Sequence, residues 1–482
     1  ELGCAAGGNL IPMALGLPES SFHGVDLSQR QIDDGRRLIE QLGLKNIALK
    51  HQSILDVTAE LGKFDYIICH GVFSWVPRPV QDRIMAICQE NLADDGIAYI
   101  SYNTLPGWHM RGMIRDMMYY HASHFREASV RVKQARELLD FLAKSVSKEN
   151  TPYSLLLKNE VELLRKSRDS YLYHEHLEEC NEPIYFHQFA ERAAAVGLRY
   201  LGEADLHVMV PGNYPPEVAK VLHRLSPDIV HIEQYMDFLR NRMFRQTLLC
   251  HQHLTPNYGL RTDQLTGFAI ASSAKAVSPQ PDIQGPAVEQ FRGPGGVTLN
   301  SSVPLAKAAM LCLAEVWPRA LTFSELRERA RARLQPAFQP DAAAVAQDSQ
   351  TLGQCLLTCY TSASSSLLEL HVHPARFIVE VGDKPMVSPL ARLQAQAGAV
   401  ATNLRHETVR LSDFQRQLVM QLDGSRDREA LVDALVDVVG RGVLTVREDQ
   451  TPITEPVRLR SILQAALQHE LPRLAGYALL VS

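Results

Sequence analysis

The sequence predicts an α/β protein: a doubly wound, largely parallel sheet with a helical insertion, followed by smaller α+β modules. Three observations carry that reading. A glycine-rich turn, Glu1-Leu2-Gly3-Cys4-Ala5-Ala6-Gly7-Gly8-Asn9, leads into an apolar helix-like run and then a short strand pattern ending in an acid, Asp26. Short apolar runs at residues 46–51, 64–70 and 97–101 then alternate with stretches of helical period, the order that builds a parallel sheet. Beyond His251 the pattern breaks into shorter helices, turn-rich segments and paired strand signals.

Taken in order, the opening turn sets the chemistry. Glycines let a backbone turn sharply after a strand and approach a ligand closely. The following helix start offers N–H groups without intrahelical partners. Asp26 stands where a carboxylate can accept bonds from ribose hydroxyls, as in a Rossmann-like nucleotide site. A dinucleotide fingerprint wants glycine at the first, third and sixth positions; counted from Gly3, the third is Ala5 and the sixth Gly8. The pattern instead resembles motif I of the class I S-adenosylmethionine (SAM) methyltransferases. Glu1 reads as the tail of the strand that enters this turn, so the first strand is expected to be truncated.

Residues 28–41 read as a helix with an N-cap near Ser28, and 46–51 as a strand. The run Phe64-Asp65-Tyr66-Ile67-Ile68-Cys69-His70 suits a strand covered on both faces. A helix over 79–91, a turn at Asp94-Asp95-Gly96 and a strand over 97–101 follow. No second glycine turn is present to hold the other half of a dinucleotide, so SAM is the expected cofactor. The class I resemblance implies contacts from Glu1, Gly3, Cys4, Ala5, Gly7 and Asn9 at the turn, Asp26 and Leu27 at the ribose, Ser53 and Ile54 near adenine, and His70 at the fourth strand end. Ser53 stands where related sequences usually carry Asp, and a hydroxyl accepts more weakly than a carboxylate.

Residues 110–182 carry helical spacing, with helices expected over 113–125, 128–147 and 153–166. The sheet then resumes, with a helix over 186–196, a strand over 197–202, helices over 216–225 and 228–242, and a last, antiparallel strand over 244–250. The domain reading is 1–109 with 183–251 as the SAM-binding domain, 110–182 as a helical regulatory or lid insertion, and 252–300 as a linker with a hairpin near 291–299. Residues 301–385 and 386–482 then form two winged-helix-like modules, the first with paired strands at 366–373 and 377–381.

The motifs Pro106-Gly107-Trp108-His109-Met110-Arg111, Tyr171-Leu172-Tyr173-His174-Glu175-His176-Leu177-Glu178 and Asn181-Glu182-Pro183-Ile184-Tyr185-Phe186 resemble the bacterial methyltransferase regulatory domain proteins. That family includes the rickettsial outer-membrane-protein lysine methyltransferases. His70-Gly71-Val72-Phe73-Ser74-Trp75-Val76-Pro77 is similar to it as well. The resemblance implies a SAM-binding domain, a helical middle region and winged-helix modules behind it. The stretch from Leu422 to Asp427 with a helix after it resembles small winged-helix peptide chaperones, which bind partners. His174-x-His176-x-Glu178-Glu179-Cys180 has zinc-compatible residue types, but histidines two apart on a helix point to different faces, and the family offers no metal; none is expected.

The candidate chemistry is methyl transfer to a nucleophile held in line with water kept out. Phe73, Trp75, Tyr102 and Trp108 are read as strand-end aromatics forming a channel that desolvates an amine, with His70 or His109 as proton acceptor. Each has a packing alternative. Protein lysine is the substrate the resemblance implies, with a surface protein as the partner; the alternatives are a small-molecule methyltransferase or a non-catalytic SAM-binding scaffold.

Composition narrows the rest. Net charge of −5 and a pI near 6.4 disfavour a nucleic-acid partner. The run of Arg327, Arg329, Arg331 and Arg333 is read as a solvated helix face before a phosphate contact. No uncharged apolar run of about 18 residues marks a membrane span. The eight cysteines form no C-x-x-C and read as buried thiols of a cytoplasmic protein. Oligomeric state has no signature in the sequence.

Overall fold

The computed structural model describes residues 1–146, 151–335, 341–362, 367–448, 451–453 and 455–481. Contacts divide the chain into two compact units. One comprises Glu1–Gly3, Val25–Ser28 and Lys50–Asn257; the other comprises Cys4–Gly24, Gln29–Leu49 and Tyr258–Ser482.

The glycine turn is followed by α1 (Leu10–Gly16), β1 (Phe22–Asp26), α2 (Gln29–Leu42) and β2 (Ile47–His51). β1 and β2 pair with each other. α2 buries Ile32 and Gly35 while Asp33, Asp34, Arg36 and Arg37 stay at the surface or partly covered, the one-sided pattern of a helix lying on a sheet. Leu2 forms a parallel bridge to Val25 of β1, and its N–H donates to the Ile68 carbonyl at 2.8 Å. Residues 1–3 therefore run as a strand segment between β1 and β3 (Phe64–Cys69).

α3 (Arg78–Asn91) leads into β4 (Leu92–Leu105), which is parallel to β3. The turn expected at Asp94-Asp95-Gly96 is instead a register shift inside β4: Phe64 pairs with Leu92, and the next pair is Tyr66 with Ile97. A bulge of this kind absorbs extra residues without ending the strand. β5 (Ile184–Tyr185) pairs with the far end of β4. β6 (Leu198–Glu203) and β7 (Phe244–His251) complete the order β3-β4-β7-β6, with β7 antiparallel to both neighbours as the sequence predicts.

Between β4 and β5 run α4 (Gly107–Ala122), α5 (Ala128–Ser145), α6 (Pro152–Lys166) and α7 (Asp169–Leu177). Ser147, the expected end of the second helix, lies outside the described residues. These four helices share a core of their own that includes Ile114, Met118, Ala135, Leu157 and Leu172. α8 (Phe186–Ala195), α9 (Pro216–Leu225) and α10 (Ile229–Arg240) return the chain to β7.

Beneath β7 lies a buried ion cluster that no periodicity announces. Arg245 is fully buried, with N–H groups donating to Glu203 at 2.6 Å, Glu233 at 3.0 Å and Asp237 at 2.8 Å. Arg242 bonds the second Glu203 oxygen at 2.9 Å. The guanidinium lies 3.8 Å from the Phe186 ring centroid, a geometry that Arg favours on aromatic faces.

In the second unit, the stretch read from composition as a linker supplies Leu265, Ile270, Ala274 and Phe291 to a hydrophobic core shared with helices Pro304–Val316, Phe323–Leu334 and Ala342–Ser362. Its strand Ala269–Ala271 pairs with Leu321–Thr322 on one side and Glu369–His371 on the other. The Glu369–His371 strand thus pairs with Ala269–Ala271 and not with residues 377–381, which form no strand; Ser366, where that strand was expected to start, lies outside the described residues. A strand of three residues is too short to show alternation in sequence. The hairpin expected near 291–299 is present as Glu289–Arg292 against Thr298–Ser301. Three of the four arginines of the run bond to side chains of this chain: Arg327 to Ser349, Arg331 to Asp348 and Arg333 to Glu315. The last module packs Pro389–Ala397, Asp413–Gln421, Arg428–Gly440 and Pro456–Gly476 around Leu418, Leu431, Leu463 and Leu471, with the hairpin Val400–Thr402 against Thr408–Arg410 at its edge.

His176 on α7 is fully buried, and neither ring nitrogen has a hydrogen-bond partner among the described residues. Burial, then the charges of Arg111 and Arg115, push its pKa down to about 3. An unfolded imidazole takes its proton near the usual value of about 6.5. Between those values the unfolded chain binds more protons, so stability is present above the unfolded pKa and falls as acid is added. We expect this helical region to lose on the order of 1 kcal/mol per pH unit below about 6.5. Thermal unfolding followed from pH 8 downward should show that slope in the wild type and a flatter one in His176→Leu.

Candidate active site

The glycine turn is built by close approach. Gly3 sits at φ +75°, and a Cβ there would fall 2.5 Å from Val72 Cγ2. Its N–H donates to the Val25 carbonyl at 2.9 Å, which fixes the turn to the end of β1. In the adjoining segment the Gly7 N–H donates to the Cys4 carbonyl at 2.8 Å, closing the turn before α1. Ala5 takes φ +50°, a left-handed conformation that glycine adopts more cheaply. Cys4 is buried, while Glu1, Ala5 and Asn9 are partly exposed.

Asp26 ends β1, partly exposed, and its Oδ1 accepts the Ser28 N–H at 2.8 Å. Leu27 beside it is 73% exposed, available to cover a flat ligand but contributing nothing to the core. The His51 ring bonds the Leu27 carbonyl at 3.0 Å, tying the end of β2 to this loop. Ser53 caps the short turn Ile54–Asp56, its hydroxyl accepting the Leu55 N–H at 3.2 Å. Ile54 is partly buried.

His70 leaves the end of β3 and is anchored by two hydroxyls that sequence reasoning missed. Its Nδ1 lies 3.0 Å from the Tyr99 hydroxyl and 3.1 Å from Ser101 Oγ, and that Oγ also accepts the Gly71 N–H at 2.8 Å. Tyr99 and Ser101 alternate on β4 opposite the β3 end, a register visible only once the strands pair. Partial burial lowers the His70 pKa, so its ring is held neutral near pH 7.

The four aromatics separate into two groups. Phe73 and Tyr102 are fully buried and pack with Phe189: Tyr102 stacks on Phe189 at 4.1 Å, and Phe73 meets it edge-on at 5.4 Å. Tyr102 also lies inside β4, not on a loop after it, and its hydroxyl bonds Thr247 Oγ1 at 3.1 Å. These two belong to the core under the sheet, because β4 runs further than its apolar run and turns Tyr102 inward. Trp75 and Trp108 do come together, at 6.2 Å and edge-on, and His174 of α7 lies against Trp75 at 4.5 Å. Arg111 stands over the Trp108 ring at 5.8 Å. His109 bonds the Tyr185 hydroxyl at 3.1 Å. His174 and His176 point to different surroundings, and among the described residues no group of three metal-ligating side chains converges.

A parallel sheet closed by an antiparallel last strand, a glycine turn under φ-positive backbone, an acid at the next strand end and a fixed histidine at the fourth define a class I SAM-dependent methyltransferase. The chemistry at the strand ends suits such a group: the Asp26 carboxylate, partly exposed, is able to accept ribose hydroxyls. Family models agree along the chain. A methyltransferase domain matches residues 1–98, a predicted methyltransferase regulatory domain 168–251, and the PKMT C-terminal winged helix domain 383–479.

An uncharacterized protein of Rickettsia prowazekii (strain Madrid E) is 37% identical over 494 residues, covering 100% of this chain and 86% of that protein. The structure of PKMT2 from Rickettsia typhi superposes with a TM-score of 0.88 at 31% identity, covering 100% of this chain and 93% of that one. Its complex with AdoHcy gives 0.86 at 32% over the same shares. The chain belongs to the family of SAM-dependent methyltransferases that includes PKMT2 of Rickettsia typhi.

Gly3→Ala should be destructive, since it combines a left-handed backbone costing about 1–2 kcal/mol with a steric overlap on Val72. Ala5→Gly should be neutral or stabilising by a few tenths to about 1 kcal/mol. Paired urea-unfolding curves check both: equal destabilisation by the two changes would contradict the turn geometry.

Proposed function

We propose that this chain methylates the side-chain amine of protein lysine, with SAM as donor. The observation that supports this best is the full-length likeness to PKMT2 of Rickettsia typhi, from the glycine turn through the winged-helix end. Gly3, Cys4, Ala5, Gly7 and Asn9 hold the tail of the donor, with Glu1 beside them. Asp26 takes the ribose hydroxyls, Leu27 covers the ring face, and Ser53 with Ile54 borders the adenine. When bound, SAM supplies a sulfonium-activated methyl group.

The protein's own part is to bring a neutral amine into line and exclude water. Trp75 after β3, partly exposed, and His174 of α7 form an aromatic wall suited to a lysine stem, with the buried Trp108 from the first turn of α4 packed edge-on against Trp75. Desolvation there favours loss of the ammonium proton. The neutral imidazole of His70, fixed at Nδ1 by Tyr99 and Ser101, is the acceptor we assign. The helices α4 to α7, which carry Trp108 and His174, serve as the lid on this side of the site. No helix among the described residues is long and apolar enough to cross a membrane. The eight cysteines are all free thiols, which supports work in the cytoplasm, on a protein that is later carried to the surface.

Calorimetry with SAM should show binding by the wild type and none by Asp26→Ala. Mass spectrometry of lysine-rich bacterial surface proteins incubated with SAM should show added methyl groups. Trp75→Ala should lower the rate by roughly 10- to 100-fold, the scale of lost substrate positioning, while leaving SAM affinity within a factor of about two. Binding without transfer to any protein would leave a small-molecule acceptor or a SAM-binding scaffold.

A further inference from the structure

The segment that follows Gly3 has support from far along the chain. Residues Cys4–Gly24 group by contact with the C-terminal half of the chain, Tyr258–Ser482. One direct bond marks that association: His406 Nε2 lies 3.0 Å from Asn9 Oδ1, across 397 residues of sequence. Asn9 stands at the start of α1, as its N-cap residue. His406 sits in the turn between the strands Val400–Thr402 and Thr408–Arg410 of the winged-helix module.

The backbone around the imidazole is held against its own preference. His406 takes φ +63°, a left-handed conformation in which glycine would be easier. Strain of this kind persists only where the surroundings over-determine it, and several bonds do so at this turn. The His406 N–H donates to the Asn403 carbonyl at 3.1 Å, and Asn403 Oδ1 accepts the Arg405 and Glu407 N–H groups at 2.9 and 2.8 Å. Arg405 forks onto both Glu369 oxygens at 2.6 and 2.7 Å and lies 4.3 Å over the Trp317 ring. The Leu404 N–H donates to the Ala478 carbonyl at 2.9 Å. The turn is thus a rigid platform, tied to the strand at Glu369 and to the chain after the last helix.

We infer that His406 is a positioning residue of the SAM site, holding Asn9 and with it the Cys4–Asn9 segment in the shape that receives the donor. The inference rests on the reading of that turn as the SAM site. It gives the C-terminal module a role in cofactor affinity in addition to any contact with a protein substrate. Partial burial lowers the His406 pKa, so near pH 7 the neutral ring has one N–H to donate and Asn9 Oδ1 accepts it.

The test uses the full chain and SAM as the probe, with affinity by calorimetry and melting temperature measured together. His406→Gly removes the imidazole and relaxes the backbone, so its melting temperature should match or exceed the wild type. Its SAM dissociation constant should rise about fivefold, the worth of one such hydrogen bond. His406→Gln, which keeps an N–H at similar reach, should recover most of that loss. Wild-type affinity in His406→Gly beside lost binding in Asp26→Ala would overturn this inference alone. Binding by His406→Gln as weak as that of His406→Gly would overturn it too. Absence of SAM binding by the wild type would overturn the reading of the turn, and this inference with it.

Discussion

The strand segment at residues 1–3 is the constraint on which the sheet depends. Leu2 donates to Ile68 on one side and forms a bridge to Val25 on the other, and Val25 donates to the Glu1 carbonyl at 3.0 Å. Through these bonds β1 and β3 become neighbours of one strand. Three of the residues proposed for the site sit at the ends of those strands: Gly3 at the end of the segment itself, Asp26 at the end of β1, His70 after β3. Ligands collect at such carboxyl ends because the loops there are free to carry function while the strands hold them in register.

Below that row of ends, two buried assemblies hold β4, β6 and β7 in place. Phe73, Tyr102 and Phe189 fill the space between β4 and α8. The Arg245 cluster joins β6, β7 and α10. Burial raises the Glu233 carboxyl to about 7 despite its bond to the guanidinium, a sign that desolvation is being offset by charge pairing only in part. Such clusters fix geometry more reliably than they add net stability. Tyr102 touches both assemblies, through Phe189 and through Thr247, which bonds Glu203 in turn at 2.8 Å. That double role explains why an aromatic read as part of a channel is instead held inside the fold.

Above the row, the recognisable pair Trp75 and Trp108 meets because a short turn after β3 and the first turn of α4 face each other. Sequence marked both residues but could not separate them from Phe73 and Tyr102, since all four follow apolar runs within a few residues. The separation comes from how far β4 extends and which way its side chains alternate. His174 and Arg111 join the pair from helices whose packing no local pattern encodes. Tyr99 and Ser101, the two hydroxyls that anchor His70, were likewise hidden, because a strand's neighbours are set by register and not by sequence distance. The same reasoning applies to Ala269–Ala271: three residues cannot show a period, so composition alone made a buried central strand look like a linker.

The local features are legible in the chain as written: the glycine turn, the acid at the end of β1, the alternation of strands and helices, the antiparallel last strand and the helical segment between β4 and β5. These follow from backbone freedom at glycine, from hydrophobic period and from chain order, all properties of neighbouring residues. Which side chains meet is settled only by folding. The bulge inside β4, the inward turn of Tyr102, the Trp75–Trp108–His174 wall and the reach of His406 to Asn9 each depend on pairing between distant segments. Those pairings are chosen by burial, packing and hydrogen bonding across the folded chain, which no window of sequence contains.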